Sequence, residues 1–159
     1  MKGIFLLIAI AGIMITAVSC DESKSDTSTI SSSVFMNTQE FFNGYAAGLL
    51  TYSPETIASF YQVPLTVYSD QGIQHVGKMK EVETFWKQGV KPYERSGIKK
   101  SVPEILSEDR LSEKITACKV LWKNYDSSGK EIARETNFYI LSKTNDGLKI
   151  SGLIIMTQK

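Results

Sequence analysis

Side chains that could move protons are scarce in this sequence. His75 is the only histidine, Asp70 stands shortly before it, and Tyr45 belongs to an earlier helix-like segment. Together these residues could supply a base and a hydrogen-bond donor for a developing negative charge. A lone histidine cannot build a His-rich metal site, and the chain contains no HExxH, CxxC or Gly-rich phosphate loop. We therefore expect no metal, cofactor or nucleotide, and catalysis by Asp70 or His75 with Tyr45 remains an alternative to the binding functions below.

The first 19 residues have the organisation of a secretory signal peptide. Lys2 provides a positive charge, residues 3–15 are almost entirely apolar, and small residues precede Cys20. A retained membrane anchor is the alternative, but the apolar run is shorter than the roughly 20 residues that span a bilayer. We interpret residues 1–19 as a cleaved signal.

A second pattern surrounds the predicted cleavage site. The run Ala17-Val18-Ser19-Cys20 resembles the bacterial lipobox, in which small residues precede a cysteine. The resemblance implies that Cys20 becomes the first residue of the mature chain and carries acyl groups such as palmitate. Two or more acyl chains anchor a protein stably in a membrane. It thus predicts a bacterial cell-envelope lipoprotein facing the periplasm or the exterior, with a plain secretory signal as the alternative.

The other cysteine requires a separate interpretation. If Cys20 is acylated, Cys118 has no disulfide partner in the chain. Cys118 lies in the strand-like segment 115–122, with no histidine and no cluster of cations beside it that would lower its pKa. A free cysteine in such a place is typically a small buried hydrophobic residue.

The segment 20–33 joins the lipid to the rest of the chain. Eight of the 13 residues in 21–33 are Ser or Thr and none is aromatic, so this segment cannot bury enough apolar area to fold. It predicts a flexible tether, with residues 34–159 as one folded domain. Of 18 basic and 17 acidic residues, only Lys2 lies before Cys20, which leaves 17 of each. A neutral net charge favours neither nucleic acid nor an anionic membrane surface as a partner.

Helix signals dominate the first half of the domain. Asn37 followed by Glu40 predicts a capped helix start, and Ser53-Pro54 predicts a second. Gly77 precedes a third segment with an apolar stripe at helical spacing. Extended segments follow, and helices succeeded by hairpins predict an α+β fold with an antiparallel sheet. The predicted strands are residues 65–68, 73–76, 98–106, 115–125, 132–141 and 148–156.

These elements carry a family resemblance. The segment 54–61, the strand residues 65–68 and the third helix with Phe85 and Trp86 resemble the nuclear transport factor 2-like superfamily, also called cystatin-like. The resemblance covers about residues 37–157. It implies a cone in which a strongly curved antiparallel sheet wraps around about three N-terminal helices and leaves a pocket at the wide end. Dimers through the sheet are frequent in this family.

The family includes enzymes as well as binding modules, so the fold alone does not decide the function. Enzymes such as ketosteroid isomerase place a tyrosine on the first helix, an aspartate near the end of the first strand and another on a late strand. Tyr45 matches the first position. Ser69, next to Asp70, falls at the second position, and Thr136 at the third. Isomerase- or cyclase-like chemistry is therefore disfavoured.

The resemblance implies a pocket with aromatic walls, which would suit a small apolar ligand. The alternative is that these side chains simply fill the core. Alternation places residues 132, 134, 136, 138 and 140 on one face, and if that face is concave, Arg134 could meet an anionic group of the ligand. The candidate lining residues are Tyr45, Tyr68, Phe85, Trp86, Trp122, Arg134, Thr136 and Phe138.

Three functional hypotheses result. The leading one is a membrane-anchored lipoprotein whose domain binds a small apolar molecule without catalysis, in a cavity lined by Trp86 and Phe138. The second is a protein-interaction or dimerisation module with an exposed apolar patch on its sheet. The third is an enzyme, in which Asp70 or His75 faces a cavity within hydrogen-bond reach of Tyr45.

Overall fold

The computed structural model describes residues 37–156. The predicted signal peptide 1–19, Cys20, the tether and the ends of the predicted domain lie outside these residues. Three helices form: α1 over Thr38–Leu49, α2 over Pro54–Ala58 and α3 over Met79–Arg95. Six strands complete the fold: β1 Tyr61–Ser69, β2 Gly72–Val76, β3 Lys100–Arg110, β4 Ile115–Tyr125, β5 Glu131–Thr144 and β6 Gly147–Ile155.

Both predicted helix caps are confirmed. The Asn37 side chain accepts a hydrogen bond from the Glu40 backbone N–H at 2.8 Å, so α1 begins where its sequence signal stands. Ser53 accepts from the Thr56 N–H at 3.1 Å in the same way at the start of α2. These side chains satisfy backbone donors that the first turn of a helix leaves free.

The third helix begins slightly later than its sequence signal. Gly77 precedes α3, but Lys78 is the N-cap and Met79 the first helical residue. The Glu81 carboxylate accepts hydrogen bonds from the Gly77 and Lys78 N–H groups at 3.0 and 3.1 Å. A carboxylate in this position also suits the positive end of the helix dipole.

The six strands form one sheet with the order β2-β1-β6-β5-β4-β3. The predicted α+β class is confirmed, but the prediction of an antiparallel sheet is wrong for one pairing. β1 and β6 run parallel, with Val67 opposite Leu153, while the other four pairings are antiparallel. A parallel pair needs a long connection, and here α3 and the strands β3 to β5 provide it. The pairing is irregular between Tyr61 and Thr66.

The core lies between the concave face of this sheet and the helices. The α1 residues Phe41 and Phe42 are both 0% exposed. The Phe42 ring lies 5.0 Å from the Tyr139 ring and 6.1 Å from the Trp122 ring, so α1 contacts β4 and β5 directly. Edge-to-face geometry is favourable for such aromatic pairs.

Cys118 is a free cysteine buried on the concave face of β4, as its surroundings in the sequence predict. Burial raises the pKa of its thiol to about 12, and the nearby carboxylates of Glu108 and Asp109 act in the same direction. The thiol is therefore protonated at ordinary pH, and this position does not favour a nucleophile.

The convex face of the sheet carries more apolar area than a solvated face needs. Tyr68 and Ile154 are partners in register and are 43% and 38% exposed. Phe138 is the next partner across the sheet, on β5. Among the helices between Asn37 and Met156, none combines the length and the apolar composition needed to cross a membrane.

Candidate functional site

A cleft of about 330 Å³ lies between α3 and the concave face of β1, β2 and β6. Val67 of β1 and Leu153 of β6 form part of its floor, because these register partners both face α3. The volume is at the lower end of the range for sites that bind small molecules. Apolar side chains form most of the wall: Tyr61, Leu65, Val67, Phe85, Trp86 and Leu153.

Polar side chains gather on the rim of this cleft. Gln74 comes from β2, and Lys80, Thr84 and Gln88 come from successive turns of α3. The spacing of these α3 residues places them on one side of the helix. An apolar floor with a polar rim can hold the body of an apolar molecule and bind its polar end.

Two hydroxyl groups lie at the inner end of the cleft. The Tyr45 and Tyr61 hydroxyl oxygens are 2.5 Å apart in a buried hydrogen bond. Trp86 packs beside them, with its ring centroid 6.3 Å from that of Tyr61. Burial raises the pKa of Tyr61, and the neighbouring Trp86 indole offsets this rise only in part. The two groups do not reach hydrogen-bond geometry, and the buried Trp86 Nε1–H has no partner among the described residues.

Burial controls the protonation of this aromatic cluster. It is the largest cause that raises the pKa values of Tyr45, Tyr61 and Tyr139 well above the ordinary tyrosine value. Burial also raises the pKa of Tyr93 to about 12, against a smaller opposing hydrogen bond with Ser101. These hydroxyls are neutral at ordinary pH, so they can donate hydrogen bonds but do not act as bases.

We expect these raised pKa values to make the protein unstable in alkali. The folded protein retains tyrosine protons that the unfolded chain releases near pH 10, so stability present below that pH is lost as pH rises further. Tyrosinate absorbance and far-ultraviolet circular dichroism should therefore change together above about pH 10. Complete ionisation of all tyrosines with unchanged circular dichroism would contradict this expectation.

The family described as NTF2-like protein (DUF6841) matches residues 36–158. The chain belongs to this NTF2-like family. No functionally curated protein matches the sequence.

Solved structures share the fold of this NTF2-like domain. A domain of unknown function with a cystatin-like fold from Nostoc punctiforme has a TM-score of 0.59 and 16% identity over 76% of this chain and 75% of its own. An NTF-2 like protein of unknown function from Shewanella oneidensis has a TM-score of 0.56 and 13% identity over 72% of this chain and 92% of its own. At such identities the likeness concerns the fold alone.

The NTF2-like domain places the candidate pocket residues in three different environments. Phe85 and Trp86 line the cleft. Tyr45 and Trp122 are buried behind it, 3% and 2% exposed, and Trp122 Nε1–H donates to the Tyr139 hydroxyl at 2.9 Å.

The remaining candidates lie on the opposite face. Phe138 pairs in register with Ile154. Its side chain points to the face opposite that of Cys118 and Tyr139, which are buried and pair with each other. The residues 132, 134, 136, 138 and 140 therefore share the convex face rather than the concave one, because paired residues in a sheet point to the same side. Arg134 forms an ion pair with Glu131 there, away from the cleft. The candidates on this face are Tyr68, Arg134, Thr136 and Phe138.

The acid–base candidates lie in different surroundings, although His75 is among the residues that line the cleft. His75 Nδ1 lies 3.1 Å from Thr66 Oγ1 in an exposed pair across β1 and β2. Tyr45 is buried and bonded to Tyr61, while Asp70 is exposed in the turn between β1 and β2. Among residues 37–156, no group of three or more His, Cys, Asp or Glu residues is arranged to hold a metal ion.

A polar cluster on the concave face was not predicted from the sequence. Asn124 is 1% exposed, and its Oδ1 accepts a hydrogen bond from Ser101 at 2.6 Å. Glu135 lies opposite Trp122 on the same face. The Glu135 side chain is accessible to solvent. Neighbouring protein atoms nevertheless desolvate its carboxyl and raise the pKa, and hydrogen bonding to Asn124 offsets this rise only in part. The alternation of inward and outward side chains along β4 could have revealed this cluster, because it predicts that the Asn124 side chain faces inward.

Proposed function

We propose that this protein is an envelope lipoprotein, anchored by acyl groups on Cys20, whose NTF2-like domain binds a small apolar molecule without catalysing a reaction. The observation that carries the proposal is the cleft of about 330 Å³ with its apolar floor and polar rim. The lipobox-like residues before Cys20 support the anchor. The Tyr45 hydroxyl is buried in its bond with Tyr61, and the exposed His75 ring contacts Thr66, which supports binding rather than proton transfer.

Filling the cleft should abolish binding of an apolar probe. Val67→Trp places a large ring on the floor beside Leu153, so we expect the affinity for the neutral probe N-phenyl-1-naphthylamine to fall at least about tenfold, the ratio that 1.4 kcal/mol represents. Fluorescence titration measures the dissociation constant, and circular dichroism checks the fold.

Ile73→Trp is the matched control, since it adds the same ring on the neighbouring strand at a position that is 64% exposed. It should leave the probe affinity unchanged. Equal binding by the Val67 variant and the control would exclude the cleft as the site. Native mass spectrometry of the protein purified gently from its own cell envelope would then test for a bound molecule without any assumption about its class.

A second function is supported by the convex face. Tyr68, Ile154 and Phe138 align across β1, β6 and β5 and leave apolar area exposed. A second copy of the chain with the same face would cover this area symmetrically. The same native mass spectrum tests this proposal, because a dimer that Ile154→Lys converts to monomer would support it and a monomer at all concentrations would contradict it.

A further inference from the structure

The concave face of the sheet carries a carboxyl group that lies outside the cleft. Glu135 of β5 stands opposite the buried Trp122 of β4, so it belongs to the face that turns toward the helices. Its side chain is nevertheless exposed to solvent. Neither residue lines the cleft between α3 and the strands β1, β2 and β6. A site at Glu135 is therefore built from different residues than the cleft.

Solvent exposure and desolvation coincide at this carboxyl. Glu135 has accessible surface, yet the protein atoms around it remove part of the hydration of its carboxyl and raise its pKa. A carboxyl that projects from a convex surface would be exposed without this effect. Both observations hold together for a side chain that water reaches inside a concave surface, and such a surface can also surround a small ligand.

A buried hydrogen-bond network holds the carboxyl in position. Asn124 is 1% exposed at an inward position of β4, and its Oδ1 accepts a hydrogen bond from the Ser101 hydroxyl at 2.6 Å. The Asn124 amide nitrogen is left to donate, and its hydrogen bonding to Glu135 acts to lower the pKa of that carboxyl. A buried amide is costly unless its polar atoms are bonded, so the carboxyl that it orients accounts for this asparagine in the core.

Two tyrosines lie near the same carboxyl. Burial is the main cause that raises the pKa values of Tyr93 and Tyr139, and the negative charge of Glu135 contributes to both. Both hydroxyls are therefore within electrostatic reach of the carboxylate. Tyr93 of α3 is half-buried, so it places an aromatic group beside the charge, as sites that bind organic cations do.

Glu135 differs from two neighbouring carboxylates in its electrostatic partners. Glu104 forms an ion pair with Lys123, and Glu131 forms one with Arg134. No ion pair among residues 37–156 includes Glu135. A desolvated carboxylate without a cation is unfavourable, and it retains acceptor positions that Asn124 does not use. A ligand with both a positive charge and N–H donors would satisfy both needs.

We propose that Glu135 binds a small molecule that carries a protonated amine. The carboxylate accepts hydrogen bonds from the ammonium group, Asn124 holds the carboxylate in position, and Tyr93 contacts the carbon atoms next to the nitrogen. This inference goes beyond the function proposed for the cleft, since these residues are not among those that line it.

The test uses the mature chain, residues 20–159, with Cys20→Ser so that the protein is prepared without lipid. Benzylammonium chloride and methylammonium chloride are titrated into isotope-labelled protein, and nuclear magnetic resonance follows the side-chain amide signals of Asn124. We expect saturable shifts with at least one of these amines and none with benzyl alcohol, which has the same ring without the charge. Absence of saturable shifts with both amines, or equal shifts with benzyl alcohol, would overturn the proposal.

Glu135→Gln removes the charge and retains the shape of the side chain. It should weaken binding of the amine at least about tenfold, because a hydrogen bond between charged partners is roughly twice as strong as one between neutral partners. Glu104→Gln is the matched control, since it removes an exposed carboxylate from the convex face of the same sheet. The control should keep the affinity for the amine. Equal losses in the two variants would attribute binding to net charge and contradict a site at Glu135.

A pH titration gives a second measurement that needs no variant. An ammonium ion beside a carboxylate favours its charged form, so the bound amine should lower the pKa of Glu135 relative to the free protein. An unchanged pKa at saturating amine, read from the carboxyl carbon signal, would place the amine elsewhere and refute the proposal. Glu135→Gln should keep the affinity for N-phenyl-1-naphthylamine, and Val67→Trp should keep that for the amine. A failure of one site is therefore distinguishable from a failure of the other.

Discussion

Cys20→Ser is expected to move the protein from the membrane fraction to the soluble fraction of the cell envelope. The thiol of Cys20 is the atom that the predicted lipid modification would alkylate, and serine offers no equivalent nucleophile. The effect should be nearly complete, because two or more acyl chains provide the stable anchoring that the variant would lack. Labelling of growing cells with an alkyne analogue of palmitate, followed by fractionation, measures both the modification and the location.

Cys118→Ser is the matched control for this experiment. Cys118 is the chain's other cysteine, and its buried thiol, with a pKa raised to about 12, should not react. This variant should retain the label and the membrane location. Membranes are washed with concentrated salt before counting, so that electrostatic adsorption does not imitate an anchor. Persistent labelling of the Cys20 variant would refute the lipobox interpretation.

Phe42→Ala is expected to have the largest effect on folding. Phe42 is 0% exposed and its ring meets both Tyr139 and Trp122, so its removal leaves a cavity between α1 and the sheet. Such truncations cost about 3–5 kcal/mol, a large part of the roughly 5–15 kcal/mol that stabilises a typical domain. Urea denaturation followed by tryptophan fluorescence should show a markedly lower midpoint, or a protein already unfolded in buffer.

Phe85→Ala provides the comparison at a different aromatic position. Phe85 is half-buried on the cleft wall, so its truncation enlarges an existing space instead of opening a closed one. We expect a loss of less than half that of the Phe42 variant. A Phe42 variant as stable as the Phe85 variant would show that α1 is not a principal part of the core.

The elements that the sequence predicted well are those encoded by neighbouring residues. The caps at Asn37 and Ser53 depend on side chains that reach backbone groups three residues away. The boundaries of β4 were predicted at the residues where they occur, Ile115 and Tyr125. Local hydrogen bonding and alternation suffice for such features, so they are visible in a single sequence.

Other features depend on contacts between distant segments. β1 begins at Tyr61, earlier than the sequence predicts. The sequence pattern hides this start because Pro64, in the irregular stretch between Tyr61 and Thr66, interrupts the strand signal. That early start brings Tyr61 to the inner end of the cleft. Local patterns also gave no sign that β1 would pair with β6.

The orientation of β5 was ambiguous for a related reason. Phe138 and Ile140 make one face of β5 apolar, while Tyr139 and Leu141 make the other face apolar as well. Alternation shows which residues share a face but not which face turns inward. The partners Cys118 and Trp122 resolve this in the folded sheet, and no local pattern contains that information.

The parallel pairing of β1 with β6 also constrains the order of events during synthesis. Val67 cannot pair with Leu153 until β6 has been synthesised. The middle of the sheet therefore remains incomplete until that strand has left the ribosome. Contacts between such distant residues slow folding, because loop-closure entropy is lost before the contact forms. The predicted signal peptide would therefore be exposed long before the domain could close. A chain of this topology is suited to crossing a membrane in an extended state and folding on the far side.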